Sequence, residues 1–279
     1  MPMNITPVTN HREREKGLII YPVYSRRSGG LSVGINLFPD KKNCAFDCPY
    51  CEVFPFADNA AFSPEQMKAD LKYAIASAQE QNTPVKDICF SGNGEPTLSP
   101  YFTEALKTAE TIRAQKVPSA KLVVITNGTG LLQTNIFALL QDAAINPCTD
   151  IWLKLDAGTP DWYQKMNRCA LPYNSLINKI KEFTSCAVVT IQTMLCAVNG
   201  GAPPETEERA WEELVCDFAA NSAANSGGIR KVQLYGKARP APNDPLASAL
   251  PCEYIEKRAA SLRRRFADKK IVTPVAVFI

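Results

Sequence analysis

The sequence predicts an α/β fold in which helices cover a parallel sheet that curls into a complete or partial barrel. Six runs rich in valine and isoleucine each precede a run with the apolar spacing of a helix. The length of 279 residues suits one barrel-sized domain. Right-handed crossovers between parallel strands would curl such a sheet. In this architecture the chemistry gathers where the strands end, at their carboxyl side.

The individual elements follow from local patterns. Ser63 is a typical N-cap and is followed by a proline, so a helix begins at Pro64. The predicted strands cover residues 31–38, 87–91, 121–126, 150–155, 187–196, 231–235 and, closing the chain, 271–278. The predicted organisation is an N-terminal segment over 1–30, a core barrel over 31–240, and a C-terminal helix and strand over 241–279 that pack on the barrel.

Composition excludes several classes of protein. No apolar run reaches the roughly 18 residues that a membrane helix needs, and the N-terminus lacks the apolar region of a signal peptide. We therefore expect a cytoplasmic protein without a membrane partner, whose ten cysteines are thiols or metal ligands. The net charge is only +3, but residues 251–279 hold seven basic and three acidic residues. This C-terminal helix is either a solvated face or an RNA-binding patch.

Three cysteines form a cluster directly after the first predicted strand. Cys44, Cys48 and Cys51 have the spacing C-x3-C-x2-C, which lets one loop bind three corners of an iron–sulfur cubane. Clusters that only store electrons normally have four cysteine ligands. An iron without a protein ligand is an open coordination position, and open positions allow a metal site to carry out chemistry. The other seven cysteines are scattered and are expected to be core residues.

Polar residues also mark the ends of the later strands. The second strand is followed by Gly92–Thr97, in which two glycines permit close approach to a ligand and Glu95 can bind an ammonium group. Asn127 follows the third strand, where the alternative is an ordinary turn. Lys154 and Asp156 share one side of the fourth strand, where the alternative is an internal ion pair. Gln192, on the fifth strand, either lines the barrel or satisfies a backbone group.

The cysteine loop and these motifs together resemble the radical S-adenosylmethionine (SAM) superfamily. The resemblance implies a partial (β/α)6 TIM-like barrel and a 4Fe–4S cluster whose fourth iron is bound by SAM. It also implies that Cys44, Cys48 and Cys51 bind the metal, and that a low-potential donor such as flavodoxin or ferredoxin supplies electrons. By the same resemblance, the SAM-binding residues are Tyr50, Gly92, Asn93, Gly94, Glu95, Pro96, Thr97, Asn127, Lys154, Asp156 and Gln192. Within this set Tyr50 lies near adenine, Glu95 binds the amine, and Lys154 and Asp156 serve the carboxylate and ribose.

Within the superfamily, the motifs resemble a bacterial branch related to wyosine-tRNA synthases. The chain has no cysteine before Cys44, and so it lacks the second cluster of those synthases. Three hypotheses remain open. The substrate is a tRNA base or another nucleotide-derived molecule, or it is a peptide, protein or small metabolite, or the protein is a non-catalytic iron–sulfur sensor or electron carrier with a distant fourth ligand such as Cys89. SAM cleavage separates the third hypothesis from the first two.

Overall fold

Strands and helices alternate along the part of the chain that the computed structural model describes, which is residues 17–220, 227–242 and 246–279. The chain divides into two compact units. The first comprises Met1–Cys44, Val53–Thr126 and Asn146–Asp150, and the second comprises Ala45–Glu52, Asn127–Ile145 and Ile151–Ile279. His11 lies outside the described residues. The predicted limits at residues 30 and 240 stay predictions.

Among its described residues, the first unit contains four complete strands and two α-helices. Its core includes Phe90 and Phe102, whose rings meet edge to face with centroids 5.7 Å apart. Strand β1 is antiparallel to β2, whereas β2, β3 and β4 pair in parallel. In chain order the elements are β1 (Ile20–Ser25), β2 (Gly30–Ile35), α1 (Pro64–Glu80), β3 (Val85–Phe90), α2 (Phe102–Lys116) and β4 (Lys121–Thr126).

The second unit continues the alternation of strands and helices. Strand β5 pairs in parallel with β6, β6 with β7, and β7 with β9, while the short β8 is antiparallel to β6. Its elements are α3 (Thr134–Ile145), β5 (Thr149–Lys154), which enters the unit at Ile151, α4 (Pro160–Met166), α5 (Tyr173–Cys186), β6 (Val188–Val198), α6 (Glu205–Ala220), β7 (Gly228–Gly236), β8 (Ala247–Ala249), α7 (Cys252–Asp268) and β9 (Val275–Phe278).

Local side-chain chemistry sets several of these boundaries. The predicted cap of α1 is confirmed, because Ser63 Oγ accepts a hydrogen bond from Gln66 N at 3.2 Å. The predicted strand over 31–38 is too long, because Asn36 Oδ1 accepts a hydrogen bond from Phe38 N at 3.1 Å and turns the chain. The predicted strand over 271–278 shortens to β9, since Ile271 N bonds to Phe266 O at the end of α7.

Among the described residues, the sequence pattern does not predict the strands β1 and β8 or the α-helix α4. Of these, α4 matters most for the site, because it ends beside the cysteine loop. It begins with a Thr159 cap followed by Pro160, and its buried residues are Trp162, Tyr163 and Met166. Seven residues are too few for a helical period to stand out in the sequence. Within the described residues, no helix combines the length and the apolar character needed to cross a bilayer.

Candidate functional site

The second half of the cysteine loop lies in the second unit and forms a tight turn. Cys51 N donates a hydrogen bond to Cys48 O at 3.0 Å. Cys48 is buried and Cys51 is half-buried, while the half-buried Cys44 belongs to the first unit. All three are thiols and none forms a disulfide. Over residues 17–220, 227–242 and 246–279, no three Cys, His, Asp or Glu side chains are already grouped to hold a metal ion.

The chemistry of this loop fits an iron–sulfur cluster. Cysteine sulfur is the usual protein ligand of such clusters. Cys48 Sγ already accepts a hydrogen bond from Asn167 Nδ2 at 3.6 Å, as expected for a sulfur that carries negative charge when it binds metal. Burial, with the charge of Asp156 adding to it, raises the pKa of the Cys48 thiol. A bound cation would reverse this shift, because metal coordination deprotonates a thiol.

The end of α4 holds the cysteine loop at four points, and we call residues 163–168 the clasp. Asp47 N donates to Asn167 O at 2.9 Å, and Arg168 Nη1 lies 3.4 Å from Asp47 Oδ2. The rings of Phe46 and Tyr163 meet edge to face with centroids 5.7 Å apart. The fourth point is the contact between Asn167 and Cys48. The clasp therefore fixes both the backbone and a sulfur of the loop.

Asp156 is the polar centre of the second unit. Its side chain is fully buried and accepts hydrogen bonds from four donors. Lys154 Nζ and Met194 N each donate to Oδ1 at 2.9 Å, whereas Tyr50 Oη and, at 3.4 Å, Asn167 Nδ2 donate to Oδ2. The carboxylate thus links the cysteine loop, through Tyr50, to the end of β5 at Lys154 and to Met194 within β6.

Lys154 forms an internal ion pair with Asp156, which was the alternative interpretation of this motif in the sequence. Its ammonium lies 2.9 Å from Asp156 and donates to Tyr235 Oη at 2.5 Å. The same nitrogen lies over the ring of Tyr50, at 5.2 Å from the centroid, and over the ring of Tyr235, at 4.7 Å. Burial by itself lowers the pKa of the Lys154 ammonium, but Asp156 and Tyr235 outweigh burial and raise the pKa above its ordinary value. Lys154 is therefore protonated at neutral pH.

The motif after β3 forms the polar site of the first unit. Glu95 is 2% exposed, and three donors converge on its Oε1. They are Thr97 N at 3.2 Å, Thr97 Oγ1 at 2.6 Å and Thr126 Oγ1 at 2.7 Å. Pro96 and Thr97, both buried, begin the single 3-10 turn that Glu95 caps. A carboxylate held this firmly presents negative charge in a defined direction, as binding of an ammonium group requires.

The same motif also contacts the residue that precedes the first cysteine. Asn43 N donates to Asn93 O at 3.0 Å, and Glu95 N donates to Asn43 O at 2.8 Å. Gly94 makes this possible, because a Cβ atom there would lie 1.8 Å from Asn43 O, and its φ is +149°. Asn93 donates through Nδ2 to Phe38 O at 3.1 Å, while Asn36 Oδ1 accepts from Asn93 N and lies beside Gly92.

Asn127 and Gln192 form hydrogen bonds with other residues of the protein. Asn127 Oδ1 accepts from Thr129 N at 2.9 Å and from Thr129 Oγ1 at 2.7 Å, which is the turn that the alternative interpretation described. Gln192 Nε2 donates to Gln233 Oε1 at 2.7 Å across β6 and β7. Both glutamines are fully buried, and Gln233 Nε2 has no hydrogen-bond partner. Gln233 thus retains a buried donor that a ligand can satisfy.

Sequence reasoning missed two residues of the site. Tyr235 is the last residue of the predicted strand over 231–235, and its place in a strand does not reveal the partner Lys154. Asn167 follows α4, whose seven residues show no helical period of apolar side chains in the sequence. An isolated asparagine at such a position is typical of a loop. Such contacts arise between segments more than 80 residues apart, so no local pattern encodes them.

Comparison with known sequences finds relatives that match part of the chain. No family model matches the sequence. A UPF0026 protein of Helicobacter pylori (strain J99) is 28% identical over 171 residues, which are 59% of this chain and 50% of that protein. A UPF0026 protein of Synechocystis is 28% identical over 186 residues, or 62% of this chain and 63% of that protein. The chain thus spans about half the length of the Helicobacter relative.

Comparison with solved structures shows which fold the chain has. Streptococcus suis SuiB bound to S-adenosylmethionine matches with a TM-score of 0.64 at 14% identity, covering 86% of this chain and 49% of SuiB. A radical SAM methyltransferase from Sphaerobacter thermophilus matches with a TM-score of 0.63 at 16% identity, covering 92% of this chain and 68% of that one. The fold is that of radical SAM enzymes. The prediction of a partial barrel of the radical SAM type is therefore confirmed.

The predicted relation to wyosine-tRNA synthases is distant. Archaeal TYW1 matches with a TM-score of 0.51 at 17% identity, covering 84% of this chain and 71% of TYW1. Its score is lower than those of SuiB and the methyltransferase, although its sequence identity is similar. The radical SAM fold is thus common to all three matches, and the branch stays a prediction.

Proposed function

We propose that this protein is a radical SAM enzyme. The observation that carries the proposal is the cysteine loop C-x3-C-x2-C, with Cys48 held by a buried hydrogen-bond donor, in a chain with the radical SAM fold. A 4Fe–4S cluster bound there would supply one electron for the reductive cleavage of SAM to methionine and a 5′-deoxyadenosyl radical, which would abstract a hydrogen atom from the substrate. Cys44, Cys48 and Cys51 would hold the cluster.

The roles proposed for the other residues follow from their charge and burial. Glu95 is held by Thr97 and Thr126 and would accept hydrogen bonds from the SAM amine. Lys154 is protonated at neutral pH, because Asp156 and Tyr235 raise its pKa, and it would serve the SAM carboxylate. Asp156 accepts four hydrogen bonds within the protein, so in this proposal it orients Lys154 and Tyr50 as well as serving the ribose. Gly92, Asn93, Gly94, Pro96, Thr97, Asn127 and Gln192 complete the proposed SAM-binding set.

For the substrate, we retain the proposal of a tRNA base or another nucleotide-derived molecule. Neighbours of similar fold include spore photoproduct lyase with a dinucleoside spore photoproduct, and also SuiB bound to its precursor peptide SuiA. The second case favours a peptide, protein or small metabolite as the second candidate. A cytoplasmic location and a donor such as flavodoxin or ferredoxin stay predictions.

Electron paramagnetic resonance of the reduced, reconstituted protein tests the proposal. We expect about four iron atoms per chain in the wild type. SAM should then change the spectrum, because it binds the iron that has no protein ligand. A Glu95→Gln variant should retain the iron but need at least about tenfold more SAM for the same change, since it loses a charge-assisted hydrogen bond.

A matched control is Glu104→Gln, which neutralises an exposed glutamate in the first turn of α2. It should respond to SAM like the wild type. A cluster whose spectrum is indifferent to SAM in every variant would contradict the proposal and favour the sensor or electron-carrier hypothesis.

A further inference from the structure

The clasp contains a side chain, that of Asn167, that reaches a sulfur of the cysteine loop. Asn167 is 2% exposed, and its Nδ2 lies 3.6 Å from Cys48 Sγ and 3.4 Å from Asp156 Oδ2. A primary amide nitrogen has two hydrogens, so Asn167 can donate to both acceptors at once. Because sulfur and carboxylate are both acceptors, the hydrogen-bond network also fixes which end of the amide faces them.

The backbone of Asn167 is held independently of its side chain. Its N donates to Tyr163 O at 2.8 Å, and its O accepts from Asp47 N at 2.9 Å. Asp47 directly precedes Cys48 in the chain. The backbone that follows α4 therefore holds the amide beside the loop, and its donors need little reorganisation when the sulfur becomes negatively charged.

We propose that Asn167 is a positioning residue that orients Cys48 and raises the reduction potential of the cluster. This inference rests on the proposed function, because it requires a cluster on Cys48. A hydrogen bond to a ligand sulfur stabilises negative charge on that sulfur, and the reduced cluster is the more negative state. Removing the donor should thus make the cluster harder to reduce.

The neighbouring clasp residues offer a matched control. Arg168 contacts the carboxylate of Asp47 through an ion pair that is 3.4 Å long and partly exposed. Arg168 has a φ of +47°, a conformation that asparagine tolerates well. Arg168→Asn therefore removes one point of the clasp without straining the backbone, and it leaves the donor to Cys48 in place.

The experiment compares the full-length wild type with Asn167→Leu, Asn167→Asp and Arg168→Asn after anaerobic reconstitution with iron and sulfide. Leucine has a similar volume but no donor. Aspartate keeps the shape of asparagine and replaces the donor by a negative charge. Iron content, circular dichroism and the midpoint potential of the cluster are measured without SAM, so catalytic activity is not the readout.

We expect Arg168→Asn to have the wild-type potential. At a fixed electrode potential, Asn167→Leu should show about a tenfold smaller ratio of reduced to oxidised cluster, equivalent to about 59 mV for one electron. Asn167→Asp should shift further in the same direction. Loss of iron from both Asn167 variants, with native circular dichroism and full loading of Arg168→Asn, would also support the positioning role.

Loaded Asn167 variants with the wild-type potential would overturn the inference and leave the proposed function intact. A wild type that binds no cluster would overturn the proposed function itself. The two failures are therefore distinguishable, because the first is seen only in a comparison of loaded proteins.

Discussion

At the scale of single residues, Asp156 changes how the strand-end motif is understood. The sequence placed Lys154 and Asp156 on one side of a strand and left two interpretations open, an internal ion pair or a pair of SAM contacts. The structure contains the ion pair, but it also joins Asp156 to Tyr50 of the cysteine loop and Lys154 to Tyr235. A buried pair with this many hydrogen bonds is well compensated, and removing either partner would leave an uncompensated charge.

Gly94 provides a prediction at the same scale. Gly94→Ala would place a methyl group 1.8 Å from Asn43 O and would force alanine to a φ of +149°. The loop after β3 must then move away from the residue that precedes Cys44. We expect the variant to lose most of its iron after reconstitution, as measured by iron and sulfide content.

The control for this prediction is Gly200→Ala. Gly200 also has a positive φ, +76°, but a Cβ there would meet nothing within 4 Å. This variant should bind iron like the wild type. Equal iron content in Gly94→Ala and the wild type would show that the contact with Asn43 is dispensable.

At the scale of elements, α6 carries a carboxylate that holds the turn after β5. Glu207 Oε1 accepts from Gly158 N, and Glu207 Oε2 accepts from Thr159 Oγ1, each at 2.5 Å. Burial raises the pKa of Glu207 to about 7, although these hydrogen bonds oppose the shift. The ordinary value of 4.5 applies to the unfolded chain, so the folded protein binds more protons between pH 4.5 and pH 7.

The free energy of unfolding should therefore fall as the pH rises through this window. Glu207 alone accounts for a loss of roughly 2–3 kcal/mol between pH 5 and pH 8. Glu207→Gln does not titrate and should lack this part of the pH dependence. Urea unfolding of both proteins at the two pH values measures it, and an identical pH dependence would refute the assignment.

The elements also show what the sequence can predict. The alternation of strands and helices and the cap at Ser63 were predictable, because each depends on neighbours within one or two turns. The lengths of β2 and β9 were not, since Asn36 and the end of α7 compete for the backbone groups that a longer strand would use. The motif residues were recognised by type and spacing, whereas the clasp depends on a seven-residue helix and on contacts between distant segments.

At the scale of the whole molecule, the basic C-terminal helix has a structural role that its composition did not reveal. Arg258 binds Glu208 at 2.9 Å and Glu212 at 2.6 Å, and Arg265 binds Glu212 at 2.6 Å. Arg263 donates to Val275 O at 2.8 Å. Three of the seven basic residues therefore attach α7 to α6 and β9. Fewer basic side chains of α7 are therefore available to bind RNA than the sequence suggested. The basic composition of this helix is thus weaker support for a tRNA substrate.

Two arginine substitutions separate these roles. Arg258→Ala removes a buried partner of Glu208 and Glu212, and we expect it to lower the free energy of unfolding by about 3 kcal/mol, because Arg265 still compensates Glu212. Arg264 is exposed, so Arg264→Ala should change stability by less than about 0.5 kcal/mol. Denaturant unfolding measures both, and equal stability of the two variants would contradict the assignment. If α7 contacts RNA, Arg264→Ala should reduce RNA affinity and its salt dependence.

The most direct test of the central claim is the formation of 5′-deoxyadenosine. The protein is purified without oxygen, reconstituted with iron and sulfide, reduced with dithionite and incubated with SAM, and the products are separated by chromatography. The proposed function predicts 5′-deoxyadenosine and methionine from the wild type and neither from Cys48→Ala. A wild type that holds four iron atoms yet never cleaves SAM would contradict it.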